Sequence, residues 1–342
     1  MAFEKVQEII KDEPAFTKLT DLAAERLGGK VLFATDDFFA EKENLLKKDR
    51  GIFIADKYTD RGKWMDGWES RRKRSEGHDW AVIRLAVPGK IAGFDIDTNF
   101  FLGNHPPHAS VEGANLKVED DTQDWEVVDW KEILPTSPLD AGSRNFYECG
   151  TDELFTHIRL HIYPDGGVAR LRVYGEVFKN WETVSPDEVL DLAAAVNGGK
   201  SIACNDMFFS SMHNLIMPER GANMGDGWET KRNRTPGNRD WVLVKLAVPG
   251  SIEQIIVDTC HFKGNYPDTC LIEGCFSTDD DEEVINNKVE WMTILPVQKL
   301  SADAEHEFKT EIHEHPIVSH IRLTIFPDGG ISRLRLFGRK KN

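Results

Sequence analysis

Almost the whole chain is written twice. "DLAAERLGGK" (21–30) returns as "DLAAAVNGGK" (191–200), and "DWAVIRLAVPGKI" (79–91) returns as "DWVLVKLAVPGSI" (240–252). "DTNFFLGNHP" (97–106) returns as "DTCHFKGNYP" (258–267), and "WKEILP" (130–135) as "WMTILP" (291–296). "HIRLHIYPDGGVARLRVYG" (157–175) closes the first copy and "HIRLTIFPDGGISRLRLFG" (320–338) the second. A period this long is too great for a solenoid. It means two whole domains in tandem, residues 1–180 and 181–342, joined near "EVFKNWETVSP". Any fold proposed for one copy must suit the other.

The copies also indicate what each domain is made of. "SPDEVLDLAAAVNGG" carries a capping box (Ser185, Glu188), Pro186 at the first helical position and Gly198-Gly199 at the end, which predicts one short helix. A weaker counterpart lies near 19–27. The remainder of each copy reads as strands. Val242, Val244, Leu246 and Val248 alternate with Trp241, Leu243, Lys245 and Ala247, the period of a sheet with one buried face. Ala81, Ile83, Leu85 and Val87 do the same in the first copy. "IRLHIYPDGGVARLRVYG" reads as a hairpin turning at "PDGG". The expected fold is all-β: two tandem jelly-roll sandwich domains, each with a short N-terminal helix. The closing "RLxIxPDGG…RLRxxG" and the tryptophan-led strand pair resemble discoidin or galactose-binding-like sandwiches, a likeness that speaks to fold and leaves function open.

Composition narrows the partners. A formal charge of -16 argues against nucleic acid, which needs a broad cationic surface. An anionic small molecule could be held only where local arginines override the field. No segment has the roughly twenty apolar residues of a membrane helix, and "MAFEKVQEIIKDEP" lacks the core of a signal peptide. The five cysteines are unevenly placed between the copies and read as reduced thiols, so a cytoplasmic location is the expectation.

Against that acidic background stands "DGWESRRKR" (66–74), repeated as "DGWETKRNR" (226–234). "DG" marks a turn that places the tryptophan and second acid at a strand mouth. Arg72 and Arg74, like Arg232 and Arg234, are two positions apart and point the same way in an extended segment. A guanidinium fork matches a carboxylate bidentately, and a neighbouring acid can neutralise it or transfer protons. The plain alternative is a solvated charged loop with Trp68 and Trp228 plugging the sandwich end. Arg170, Arg172, Arg333 and Arg335 read as a cationic stripe on the outer face of the last strand. Asp36 and Asp206 lie in early loops that, in discoidin-like folds, edge the ligand site; an Asx turn explains them equally. Asn104 and Asn265 in "GN[HY]P", and Glu112 and Glu273, are further shared candidates. His306, His313 and His315 cluster with glutamates, but nothing repeats them in the first copy. "STDDDEE" (277–283) lacks an EF-hand pattern and reads as a solvated loop. No P-loop, GxGxxG, GxSxG or HExxH occurs. No cofactor or metal site is expected, although a divalent ion stays open.

The tandem repeat, "DGWE[ST]xRxR", "DTxxFxGN" and the paired "PDGGxxRLR" endings together resemble the allantoicase family, its fungal form closely, over roughly residues 18–340. The resemblance implies an oligomeric intracellular hydrolase of purine breakdown that converts allantoate and water to ureidoglycolate and urea. It gives Arg72, Arg74, Arg232 or Arg234 a substrate carboxylate to clamp, with Trp68, Trp228, Asp36, Asp206, Asn104 and Asn265 as further binding candidates. Glu69 or Glu229 would protonate the leaving urea nitrogen or activate water, with Asp66 or Asp226 orienting it. The rival is a non-catalytic tandem discoidin-like module that grips a small molecule or carbohydrate.

Overall fold

The structure, a computed structural model, describes residues 13–117, 124–278 and 281–341. The chain divides into two compact units, one ending at Phe178 and the next starting at Lys179.

The spine of the first unit is the 19-residue strand Asp79–Asp97. Its first half, the alternating "DWAVIRL", pairs antiparallel with Leu154–Tyr163 on one side and Lys30–Ala34 on the other. Beyond Pro88-Gly89 the partners change to Arg170–Val177 and Arg144–Glu148. Proline has no N–H to give a ladder, and a Cβ on Gly89 would stand 2.6 Å from the carbonyl oxygen of Glu176. That pair of residues therefore makes the corner at which one strand leaves one layer for the other. His108–Ala114 and Lys131–Pro138 extend the first layer; Thr20–Asp21 edges the second. Ala81, Ile83, Ile96, Ile158, Leu160, Ile162, Leu171 and Val173 fill the space between, all fully buried. The second unit repeats this order around Asp240–Asp258. Both units are jelly-roll β sandwiches, as the alternation implies.

Three local expectations change. "PDGG" is not a hairpin turn, because Leu154–Tyr163 and Arg170–Val177 each pair with the spine and not with one another. It is a crossover between layers, and its Gly167–Val168 pairs instead with Trp68–Glu69. The helix at 185–199 is also absent. Leu190–Asp191 is an edge strand on Gly338 and Phe337, followed by a single 3-10 turn, Ala195–Asn197, that Gly198 ends with φ 104°. Leu192, Ala193, Ala194 and Ala195 are all buried, so this run is apolar on every side, and the Asp191 carboxylate fastens it by accepting from the N–H groups of Ala193 and Leu336. A lone capping box cannot outweigh that packing. Of the acidic run, Asp281–Ile285 forms a short α-helix whose Val284 covers Leu243 on the outward face of the sheet; residues 279–280 lie outside the described residues.

The crossover depends on missing side chains. A Cβ on Gly330, which pairs with Glu229, would lie 2.0 Å from the Phe262 ring. Gly330→Ala is expected to destabilise the second unit by about 1–3 kcal/mol, the usual range for overpacking, measured as a lowered midpoint in denaturant.

Candidate active site at the loop rim

The segment after each "DG" is held so that alternate residues have opposite duties. Asp66 is buried and committed: its carboxylate meets Arg170 Nη2 at 2.8 Å and accepts from the N–H of Ile52 at 2.9 Å. Asp226 meets Arg333 Nη2 at 2.9 Å and the N–H of Ala222 at 3.1 Å. Arg170 and Arg333 are thus not a solvated stripe. Both are 3% exposed, because the loops before Asp66 and Asp226 fold over them. Trp68 and Trp228 are 0% exposed and donate their indole N–H at 2.8 Å to the carbonyls of Asp36 and Asp206, which makes them plugs out of reach of a ligand. Asp36 and Asp206 form the Asx turns that were the alternative. Each accepts from the N–H two residues on (Phe38, 3.0 Å; Phe208, 3.1 Å) and from the N–H of Arg71 or Lys231.

The next acid differs. Glu69 and Glu229 follow the buried tryptophans on two-residue strands and are half-buried. Glu69 Oε1 accepts from Asn104 Nδ2 at 2.7 Å, and Glu229 makes the same bond with Asn265. Burial pushes the Glu69 carboxyl above its ordinary pKa, and the Asn104 amide offsets only part of that rise. Two candidates far apart in sequence, the acid of "DGWE" and the asparagine of "GN[HY]P", are therefore brought together in both copies.

The arginines complete the pattern. Arg71 binds Asp36, and Lys73 gives its N–H to Asp165 at 2.7 Å and its ammonium to Asp79 at 2.7 Å. Lys231 and Asn233 are likewise pinned through their N–H groups to Asp206 and Asp328. Between these anchors Arg72, Arg74, Arg232 and Arg234 are exposed, and none has an ion pair among the described residues. Arg232 lines an open cleft of about 580 Å³ together with Phe209, Glu229, Thr230, Asn265 and Tyr266. Arg234 is not in its wall. Phe208 and Phe209 stack edge-on beside it, 64% and 61% exposed, an aromatic lip whose counterpart in the first copy is the edge-on pair Phe38 and Phe39.

A second constellation escaped the sequence reading apart from its glutamates. On the outward face of the first unit's sheet, Arg159 lies between the rings of Trp80 and Trp130 (5.2 and 4.9 Å) and bonds Glu112 at 2.7 Å. His161 Nε2 also meets Glu112, at 2.7 Å, and His161 Nδ1 meets His78 Nε2 at 2.8 Å. Burial lowers both imidazole pKa values, while the bonds from His161 and Arg159 outweigh burial at Glu112 and keep it low. The second unit keeps Glu273, Arg322, Trp241 and Trp291 but has Arg239 and Thr324 for the histidines; there a cavity of about 340 Å³ opens. The available signal was strand alternation: Arg159 and His161 must face opposite to Ile158, Leu160 and Ile162.

The comparisons with known proteins concern the chain as a whole. The family described as "Allantoicase repeat" matches residues 20–178 and again 190–341. The "probable allantoicase" of Pseudomonas fluorescens (strain SBW25) is 52% identical over 95% of this chain and 97% of its own length. That of Photobacterium profundum is 50% identical over 95% of this chain and 98% of its own. The crystal structure of allantoicase from Saccharomyces cerevisiae superposes with a TM-score of 0.80 at 39% identity, covering 94% of this chain and 93% of that one. With both repeats matched from end to end, this chain belongs to the allantoicase family.

Proposed function

We propose that the chain hydrolyses allantoate to ureidoglycolate and urea, and that the rim built by Glu69, Asn104 and Arg72, or by Glu229, Asn265 and Arg232, is where it does so. One observation carries the site assignment. A single open cleft contains a half-buried carboxylate bonded to an amide and a guanidinium without an ion-pair partner among the described residues. Allantoate has one carbon bearing a carboxylate and two ureido groups, so it offers that guanidinium a bidentate anion. Asp66 and Asp226, already paired with Arg170 and Arg333, hold the loop that presents the site and take no part in proton transfer.

The proposed chemistry balances simply. The glutamic acid protonates one ureido nitrogen as its bond to the central carbon breaks and urea departs. The remaining ureido nitrogen supplies electron density, giving an imine-like carbon. Water then adds its hydroxyl to that carbon and returns a proton to the glutamate. A raised pKa keeps the proton on Glu69 further toward neutrality, so activity that depends on the acid falls as pH rises through that value. Glu69→Gln should remove that limb of the kcat/KM profile if the first repeat is active.

Urea released from allantoate by the purified chain tests the activity itself. Replacing Arg72 and Arg232 together by Met should raise KM about 10- to 100-fold, the loss of a charged hydrogen bond, and leave kcat nearly unchanged. An unaltered KM would remove the arginines from the site. The non-catalytic module loses its ground through the family membership. A cytoplasmic homo-oligomer completes the reading; five free cysteines support the reduced compartment.

The outward sheet face supports a second location. Ionised Glu112 must accept from His161 Nε2–H, so His161 Nδ1 accepts from His78 Nε2–H and the basic nitrogen left over is His78 Nδ1. That is the layout of an oriented general base. His78→Gln abolishing turnover while the rim glutamates prove dispensable would move the chemistry there.

A further inference from the structure

We propose that the second repeat binds a divalent transition metal of the zinc class through Cys260, His261 and Asp303. One donor atom from each lies within 4.8 Å of the other two. Cys260 and His261 are adjacent in the loop that leaves the spine strand, and Asp303 arrives from another loop whose carboxylate accepts the N–H of His261 at 2.7 Å.

The difference between copies sharpens this. The first repeat has Asn99, Phe100 and Gly142 at these three places, none of them a good ligand. Its backbone is nevertheless the same: φ is 66° at Phe100 and 70° at His261, 61° at Gly142 and 50° at Asp303. The two copies thus share the frame and differ in the donors, and the second repeat places Asp, one of the few side chains that tolerate left-handed φ, where the first has glycine. The neighbour of this position differs too, and in the second repeat it is an ammonium, with Lys263 Nζ 3.9 Å from Asp303 Oδ2. In the first repeat a Cβ at Gly142 would lie 2.6 Å from the Leu102 side chain, and the second repeat has Lys263 instead of that leucine.

The imidazole is already oriented. His261 Nε2–H donates to the carbonyl of Gly221 at 2.7 Å, which leaves Nδ1 with its lone pair. A ligating histidine is ordinarily held in this manner by a carbonyl or carboxylate behind it. Thiolate, imidazole and carboxylate together suit Zn²⁺, and three protein donors leave a fourth position for water or another ligand. With all three donors within 4.8 Å of one another, the exposed Asp303 side chain can turn to close on an ion. Four residues after His261 the same loop carries Asn265 of the cleft.

The test uses the full chain, stripped with chelator and dialysed against Zn²⁺ or Co²⁺. The expected result is a single tightly held ion per chain and, with Co²⁺, a thiolate-to-metal charge-transfer band. Cys260→Ser should abolish the band and weaken affinity at least about 100-fold. Cys149, Cys204, Cys270 and Cys275 remain in that variant, so the loss is specific to Cys260. The triple change Cys260→Asn, His261→Phe, Asp303→Gly copies the first repeat, whose backbone accommodates those residues. It should bind no ion yet melt in chelator at the wild-type temperature. Wild-type chain without stoichiometric metal, or metal and band retained in Cys260→Ser, overturns the proposal. Should the triple variant fail to fold, Cys260→Ser decides alone.

Discussion

Changing Glu69 and Glu229 together to Gln is expected to lower kcat for urea release by about 100- to 10,000-fold, the usual worth of general acid–base catalysis. Glutamine keeps an oxygen to accept from Asn104 or Asn265, and both positions are already half-buried, so the sandwich should keep its stability to within about 0.5 kcal/mol. The loss would therefore be chemical and not structural. KM should change little, since the arginines proposed to grip the carboxylate are untouched. The single variants are informative in their own right. If one alone reproduces the whole loss, the chemistry belongs to that repeat; if each removes about half the turnover, both repeats work. Near-normal kcat in the double variant would take proton transfer away from the rim.

The second large effect is structural. Asp226→Ala should destabilise the second unit by about 3–5 kcal/mol, because Arg333 is 3% exposed and would keep a buried charge without its counter-ion. Arg333 also donates to the carbonyls of Ser332, Asp226 and Glu219, and these contacts hold the expectation toward the lower end. Asp66→Ala should do the same in the first unit through Arg170. Because the loop over the arginine also leads into the cleft strand, activity should fall along with stability. Denaturant unfolding followed separately for each unit would show it. A loss under about 1 kcal/mol would mean that Asp226 is not the element holding the loop down.

The sequence showed most plainly what repetition and alternation encode. Ile158, Leu160, Ile162, Leu171 and Val173 are all fully buried, and the two spine strands fall where "DWAVIRL" and "DWVLVKL" place them. What stayed hidden needed three dimensions. Nothing in "PDGG" distinguishes a hairpin from a crossover, because the choice is made by Phe101 and Phe262 packing under Gly167 and Gly330. In "DGWExxRxR" identical spelling concealed unlike roles. Asp66 and Trp68 are repeated because the fold needs them, whereas Glu69 and Arg72 are repeated without any such need for burial. Partners distant in sequence, Arg170 for Asp66 and the Asp36 carbonyl for Trp68, separate the two groups. Cys260, His261 and Asp303 were equally illegible, since their proximity is created by two loops meeting.

The most direct test of the rim as the substrate site is a crystal structure of the chain with a non-hydrolysed analogue that keeps the carboxylate and both ureido groups. The account predicts density in the cleft, with the carboxylate on Arg232 or Arg72 and a ureido nitrogen within hydrogen-bond reach of Glu229 or Glu69. An analogue seated on the outward sheet face beside His78, with the rims of both units empty, would contradict it.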